Sequence, residues 1–151
     1  MLAVKPKNIG YPWGSCDEDA SFKTILHQVR HPLNVISSLQ AIHNRSWMFI
    51  QDHIDLNGLS ELERRMKFWL SWNDICESVA DLTYRVEDIE RVSLRISRII
   101  GIPYTKSDVD TTTNSRKHDI LTWRDLRAAN HDLCHEVIGR ATKYGYESAQ
   151  G

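Results

Sequence analysis

Three cysteines in 151 residues are too few and too scattered for a disulfide framework. Cys16, Cys76 and Cys134 are odd in number, widely separated and without a C-x-x-C pair, so neither a stapled secreted scaffold nor a zinc knuckle is indicated. A reducing cytoplasm fits best. Long apolar runs are missing too: none approaches the roughly 20 residues that a membrane-crossing helix requires. The opening MLAVKPKNIG is too short and too polar for a secretory signal. Nor is there charge of one sign. Lys plus Arg total 19 against 20 Asp plus Glu, a formal −1, which sets up no overall field to gather nucleic acid or an anionic membrane. Any anion site must be local. Repeats and low-complexity blocks are also lacking.

What is present describes an ordinary folded chain. Hydrophobic residues make up 41% and charged residues 26%, close to the averages of soluble globular proteins. A chain of this length hides roughly two thirds of the surface its unfolded form exposes, so residues 1–151 are expected to form a single domain. Residues 1–22, with Pro6, Gly10, Pro12, Gly14 and the acidic CDED, show no periodicity and read as an irregular N-terminal segment. The tryptophans (Trp13, Trp47, Trp69, Trp72, Trp123) are many for the length, but Trp serves packing before chemistry.

Periodicity lays out the elements. Thr24 to Arg30 is a short β-rich run ended by His31-Pro32, because a proline holds the residue before it extended. Pro32 suits the first position of a helix, and Val35, Ile36, Leu39 and Ile42 follow at helical spacing. A second helix is expected from Trp47 to about Leu56, with Trp47, Ile50 and Ile54 on its apolar face, before the Asn57-Gly58 turn. The clearest helix opens at Ser60, with Glu63 completing a capping box, and runs to about Ala80 with Leu62, Met66, Trp69, Cys76 and Val79 inward. Asp81 to Glu87 reads as a second strand, parallel to the first because the intervening helix is long enough to cross over. Ile89, Val92, Ile96, Ile99 and Ile100 form a further stripe closed by Gly101 and Pro103, and residues 103–121 are polar loop. A last helix starts at Asn130, turns Leu133, Val137, Ile138 and Ala141 inward and ends at Gly145. Short strands among several helices make an α/β chain whose sheet is incomplete.

The informative segment is Arg30-His31-Pro32-Leu33-Asn34-Val35-Ile36-Ser37-Ser38. An arginine at a strand's C-terminal end, followed at once by a helix start, combines a planar cationic fork, free backbone donors and the positive end of a helix dipole. Anions collect in such places. Ser38 lies one turn beyond Asn34 on the same stripe and can add a hydroxyl to a phosphate held by Arg30. The residues alone leave a second arrangement open, in which Arg30 pairs with a carboxylate and Ser38 bonds its own backbone.

The run HQVRHPLNVISSL, with Arg30 and a serine eight residues later at Ser38, resembles the motif by which sulfotransferases hold the 3′-phosphate of the sulfate donor 3′-phosphoadenosine 5′-phosphosulfate (PAPS). FWLSWNDI and LTYRVEDI are similar to the helix and strand that follow in bacterial members, and DILTWRDLRAANHDLCHEVIGRATKYGY to their C-terminal ending. The resemblance covers roughly residues 22–146. It implies a partial P-loop-type parallel sheet in a predominantly helical α/β fold, the C-terminal part of a sulfotransferase domain. The implied activity is sulfuryl transfer from PAPS, without a metal, to a hydroxyl or amine of a small molecule or glycan whose identity is not indicated. Arg30 and Ser38 are the implied phosphate ligands. Arg116-Lys117 stands where family members often place a further basic contact, but the glycines that commonly accompany it are missing and a solvated basic pair is the better reading. Neither nucleic acid nor a membrane span is implied, and a homo-oligomer is left open.

The departures are as informative. Family members open with a strand and a phosphate loop rich in Gly, Ser, Thr and Lys or Arg that cradles the 5′-phosphosulfate. Gly10-Tyr11-Pro12-Trp13-Gly14-Ser15 lacks the apolar strand before such a loop and the basic residue and hydroxyl after it. Many members also place a His or Glu general base between that loop and the arginine motif, and only 29 residues precede Arg30 here, so the catalytic residues stay unassigned. Met1 is therefore expected to be an internal methionine of a longer protein, and this chain by itself is expected to be inactive. The alternative is a nucleotide-binding or interaction module that kept the later half of the fold and lost the chemistry; a kinase-type relative ranks lowest.

Other chemistry-bearing residues have plain explanations. His131, Cys134 and His135 have a spacing that can bind metal, but no second ligand cluster supports it. His27, in mid-strand, reads as a satisfied core histidine. Arg91, Arg95 and Arg98 line a solvated helix face. Tyr84, Arg85, Glu87 and Asp88 read as scaffold, with Glu87 or Asp88 capping the next helix.

Overall fold

Proline at position 32 fixes the first corner of the molecule. In the computed structural model, which describes residues 23–42, 44–103 and 119–147, strand β1 (Leu26–Val29) ends just before Arg30. His31 takes an extended conformation (φ −48°, ψ 127°) and Pro32 is the first residue of helix α1 (Pro32–Ser38). The apolar spacing continues to Ile42, but the helix does not: Leu39–Ala41 tighten into a 3-10 turn and Ile42 is extended.

Helix α2 (Asn44–Gln51) begins and ends earlier than the periodicity suggests. Ile54 and Leu56 are buried, as their apolar character requires, yet they sit in the turn after the helix, where His53 and Ile54 both donate amides to Ile50 O. Helix α3 (Glu61–Glu77) opens as expected, with the Ser60 amide donating to Glu63 Oε2 at 2.8 Å. It closes at Ser78, whose hydroxyl donates to Ile75 O at 2.7 Å, so Val79 lies beyond the helix and is 46% exposed rather than inward.

Strand β2 (Leu82–Arg85) pairs with β1 in parallel, Leu26 opposite Leu82 and Val29 opposite Arg85. Asp81 starts the pairing with a clasp: its amide donates to Ile25 O at 2.9 Å and its carboxylate accepts the Ile25 amide at 2.8 Å. The chain is thus mostly helical with a small parallel sheet of two strands among the described residues. β2 is shorter than expected because Val86–Asp88 turn into a 3-10 helix.

Helix α4 (Ile89–Ile100) ends at Gly101, whose φ of 74° is a left-handed value that costs glycine little. Its apolar stripe is covered only in part: Ser93 is its one buried residue, while Ile89 and Ile100 are 40% and 42% exposed. Strand length accounts for this. Four extended residues span about 13 Å and twelve helical ones about 18 Å, so β2 cannot underlie the whole helix. Helix α5 (Trp123–Ala129) precedes the expected last helix; Thr122 and Asp125 cap it reciprocally, with Asp125 N donating to Thr122 Oγ1 at 3.3 Å. Helix α6 (His131–Lys143) opens at Asn130, whose Oδ1 accepts the Leu133 amide at 3.0 Å, and the chain leaves it through Gly145 (φ 80°).

The main core joins β1, α1, α3, α5 and α6 through Val29, Ile36, Met66, Trp69, Leu126, Val137 and Ala141. Each larger side chain fully buried there stabilises the fold by about 1.5–3 kcal/mol relative to exposure. A second cluster gathers Ile50, Ile54 and Leu56 under Trp47, Phe68 and Trp72, with Phe68 stacked on Trp72 at 5.6 Å. No described helix is long and apolar enough to cross a membrane.

Candidate functional site

Val29 and Arg85 are register partners, so Arg30-His31 and Val86–Asp88 leave the sheet together at its C-terminal edge. Ligands of open parallel sheets bind outside that edge. Arg30 is exposed there, and among the described residues its guanidinium joins no ion pair. Ser38, also exposed, donates its hydroxyl to Val35 O at 2.8 Å. Of the arrangement in which Arg30 pairs with a carboxylate and Ser38 bonds its own backbone, the serine half is formed, and Arg30 has no carboxylate partner among the described residues. The two side chains stand at opposite ends of α1. Arg116 and Lys117 lie outside the described residues.

The helix start contributes less than its position suggests. Pro32 has no amide proton, and the amides of Asn34 and Val35 both donate to His31 O, at 3.1 and 3.2 Å. Of the first-turn donors only the Leu33 amide has no main-chain acceptor among the described residues. With seven residues, α1 also carries a small dipole. The attraction for an anion rests on the guanidinium.

Around Arg30 the structure gathers residues that are distant in sequence. The buried Tyr146 places its hydroxyl 3.2 Å from Val29 O and 2.7 Å from Glu87 Oε2, one proton facing two acceptors. Its ring meets the His31 imidazole edge-on at 5.1 Å, and Trp123 lies on the same imidazole at 6.1 Å. Burial holds the His31 pKa below its ordinary value, the nearby Glu87 charge opposing this. Burial also raises the Tyr146 pKa, and its hydrogen bond to Glu87 raises it further.

Arg85 fastens this group from below. Its guanidinium bonds both Asp88 oxygens, at 2.7 and 3.1 Å, donates to Gly145 O at 2.5 Å and lies 5.4 Å from the Tyr146 ring centre. The expected helix cap by Glu87 or Asp88 is not formed: Asp88 occupies the N-cap position of α4, but its carboxylate is taken by Arg85 and Arg91. Two opposite charges in hydrogen-bond contact outcompete a neutral amide for the same oxygens. Those contacts hold the Asp88 pKa below its usual value, the Arg85 hydrogen bond being the largest cause.

The other candidates fall into structural roles. His27 is buried, with Nε2 3.0 Å from Asn73 Oδ1 and Nδ1 3.3 Å from Thr83 Oγ1. Cys134 is buried facing Trp123 O while His131 and His135 are exposed, so the three do not converge. What remains is an edge where the Arg30 fork, without an ion pair among the described residues, adjoins an imidazole packed against aromatic rings, a surface suited to an anion carried on a planar group. Comparison with protein-family models, with curated proteins and with solved structures finds no match.

Proposed function

We propose that this chain binds the 3′-phosphate of the nucleotide sulfate donor PAPS through Arg30, as the donor-binding portion of a sulfotransferase-like domain of P-loop type. The observation that carries this reading is the exposed Arg30 guanidinium, without an ion pair among the described residues, at the C-terminal edge of a parallel strand pair. Such a fork can make two parallel N–H···O bonds to one phosphate. Ser38 joins by exchange: its hydroxyl, which donates to Val35 O, turns to donate to a phosphate oxygen when the ligand is present. Arg116 and Lys117 enter as a further basic contact on the sequence motif alone.

The reaction would move the sulfuryl group to a hydroxyl or amine of a small molecule or glycan, and negative charge would develop on the leaving phosphate. No residue is assigned to stabilise that charge or to take the acceptor proton. A nucleotide-binding module without chemistry is the second reading. It fits residues 1–29 as well, which carry no phosphate-loop pattern.

Thermal unfolding with the product nucleotide 3′-phosphoadenosine 5′-phosphate tests the contact. At one hundred times its Kd, a ligand selective for the native state adds about 2.7 kcal/mol, a rise in Tm of roughly 5–10 °C for a chain of this size. Arg30→Ala is expected to remove most of that rise. A variant that responds as the parent does would sink the phosphate contact, and sulfuryl transfer by the chain would exclude the second reading.

A further inference from the structure

Arg30 stands just past the last residue of β1, so the strand ladder no longer fixes its backbone. An exposed arginine on a loose backbone is a poor anion ligand, because ordering it is charged against every bond it makes. The residues on either side of it are nonetheless held, Val29 by its pairing with Arg85 and His31 by the first bonds of α1, and one further side chain touches both. Tyr146 reaches the carbonyl of Val29, immediately before Arg30, with its hydroxyl at 3.2 Å, and the imidazole of His31, immediately after, with its ring at 5.1 Å. The hydroxyl contact spans 117 residues of sequence.

Tyr146 is itself anchored independently of the tip. Its amide donates to Ala141 O at 2.9 Å at the end of α6, the preceding Gly145 carbonyl accepts from Arg85, and Glu87 takes a share of its hydroxyl proton. The residue is only 7% exposed, which leaves its ring little freedom to turn away. A rigid element thus reaches across the molecule and brackets Arg30, the residue on which the phosphate reading rests.

We infer that Tyr146 is the positioning residue of the anion site, fixing the backbone on both sides of Arg30 so that its guanidinium meets a phosphate already oriented. This rests on the phosphate-binding role of Arg30. Tyr146 does not touch the ligand, so its loss acts selectively on the bond that Arg30 makes and leaves the remainder of the nucleotide's binding unchanged.

The experiment measures, by calorimetric titration of the full chain, the dissociation constants of 3′-phosphoadenosine 5′-phosphate and of adenosine 5′-phosphate. Their ratio isolates the 3′-phosphate. Tyr146→Phe, which deletes only the hydroxyl, is expected to lower that discrimination roughly three- to tenfold with adenosine 5′-phosphate binding unchanged. Val137→Ala, which loosens the core face of α6 away from the tip, is expected to lower Tm and leave the ratio alone. If Arg30→Ala leaves the ratio intact, the phosphate reading and this inference fall together. If Arg30→Ala collapses the ratio and Tyr146→Phe does not change it, only the positioning role is overturned. It is overturned equally if Val137→Ala lowers the ratio as Tyr146→Phe does, since general softening then explains both.

Discussion

Ser37 and Ser38 are neighbours with different work. Ser38 is exposed and bonds its own helix, whereas Ser37 is fully buried and accepts the Leu121 amide at 2.9 Å, tying α1 to the approach of α5. Removing the Ser37 hydroxyl strands a main-chain donor, which costs about 1–3 kcal/mol. Ser37→Ala is therefore expected to lower Tm by several degrees, and Ser38→Ala to stay within about 0.5 kcal/mol of the parent; equal losses in thermal unfolding would contradict the assignment. The sequence singled out Ser38 by its spacing from Arg30, and spacing cannot distinguish a buried hydroxyl from a surface one. Arg30 was legible because a strand end, a proline and a helix start adjoin it. The bracket of His31, Glu87 and Tyr146 was not, since it depends on where α6 delivers its last residues. A tyrosine shortly after the αL glycine that closes a helix was the only local hint.

Among the elements, those that start on side-chain rules were readable and those that stop on packing were not. The corner at Pro32, the box at Ser60 and the cap at Asn130 follow from residues within one turn. The ends of α2 and α3 were overrun because Ile54, Leu56 and Val79 prolong an apolar rhythm after the backbone has left the helix. Thr122 and Asp125 spell a box that was available and unused. Glu63 shows how caps join elements: it accepts the Ser60 amide, and its other oxygen takes the Asn130 side-chain amide at 2.7 Å, linking the starts of α3 and α6. Those bonds, Asn130 first, lower its pKa from 4.5 to about 2. A lowered carboxyl favours the fold fully above its unfolded pKa, and the benefit is lost as pH falls through the folded one. Glu63→Gln keeps an acceptor and removes the titration. Between about pH 5 and pH 2.5 the parent should lose more Tm than the variant; matching losses would show that the cap does not depend on the charge.

At the scale of the molecule, a formal charge of −1 leaves anion binding to local geometry, and that geometry is the edge where two parallel strands end. The parallel order was legible because a helix as long as α3 between two strands permits a crossover. The part-covered α4 was not, because cover depends on how far a neighbouring strand extends, which a stripe of isoleucines does not encode. The central claim is that Arg30, held at that edge, takes a 3′-phosphate. Its most direct measurement is the Arg30 Nε–H resonance during titration with 3′-phosphoadenosine 5′-phosphate, with adenosine 5′-phosphate as comparison. The account predicts a saturable shift of that signal with the first nucleotide and little with the second. An Arg30 signal that stays in place while the nucleotide binds would contradict it.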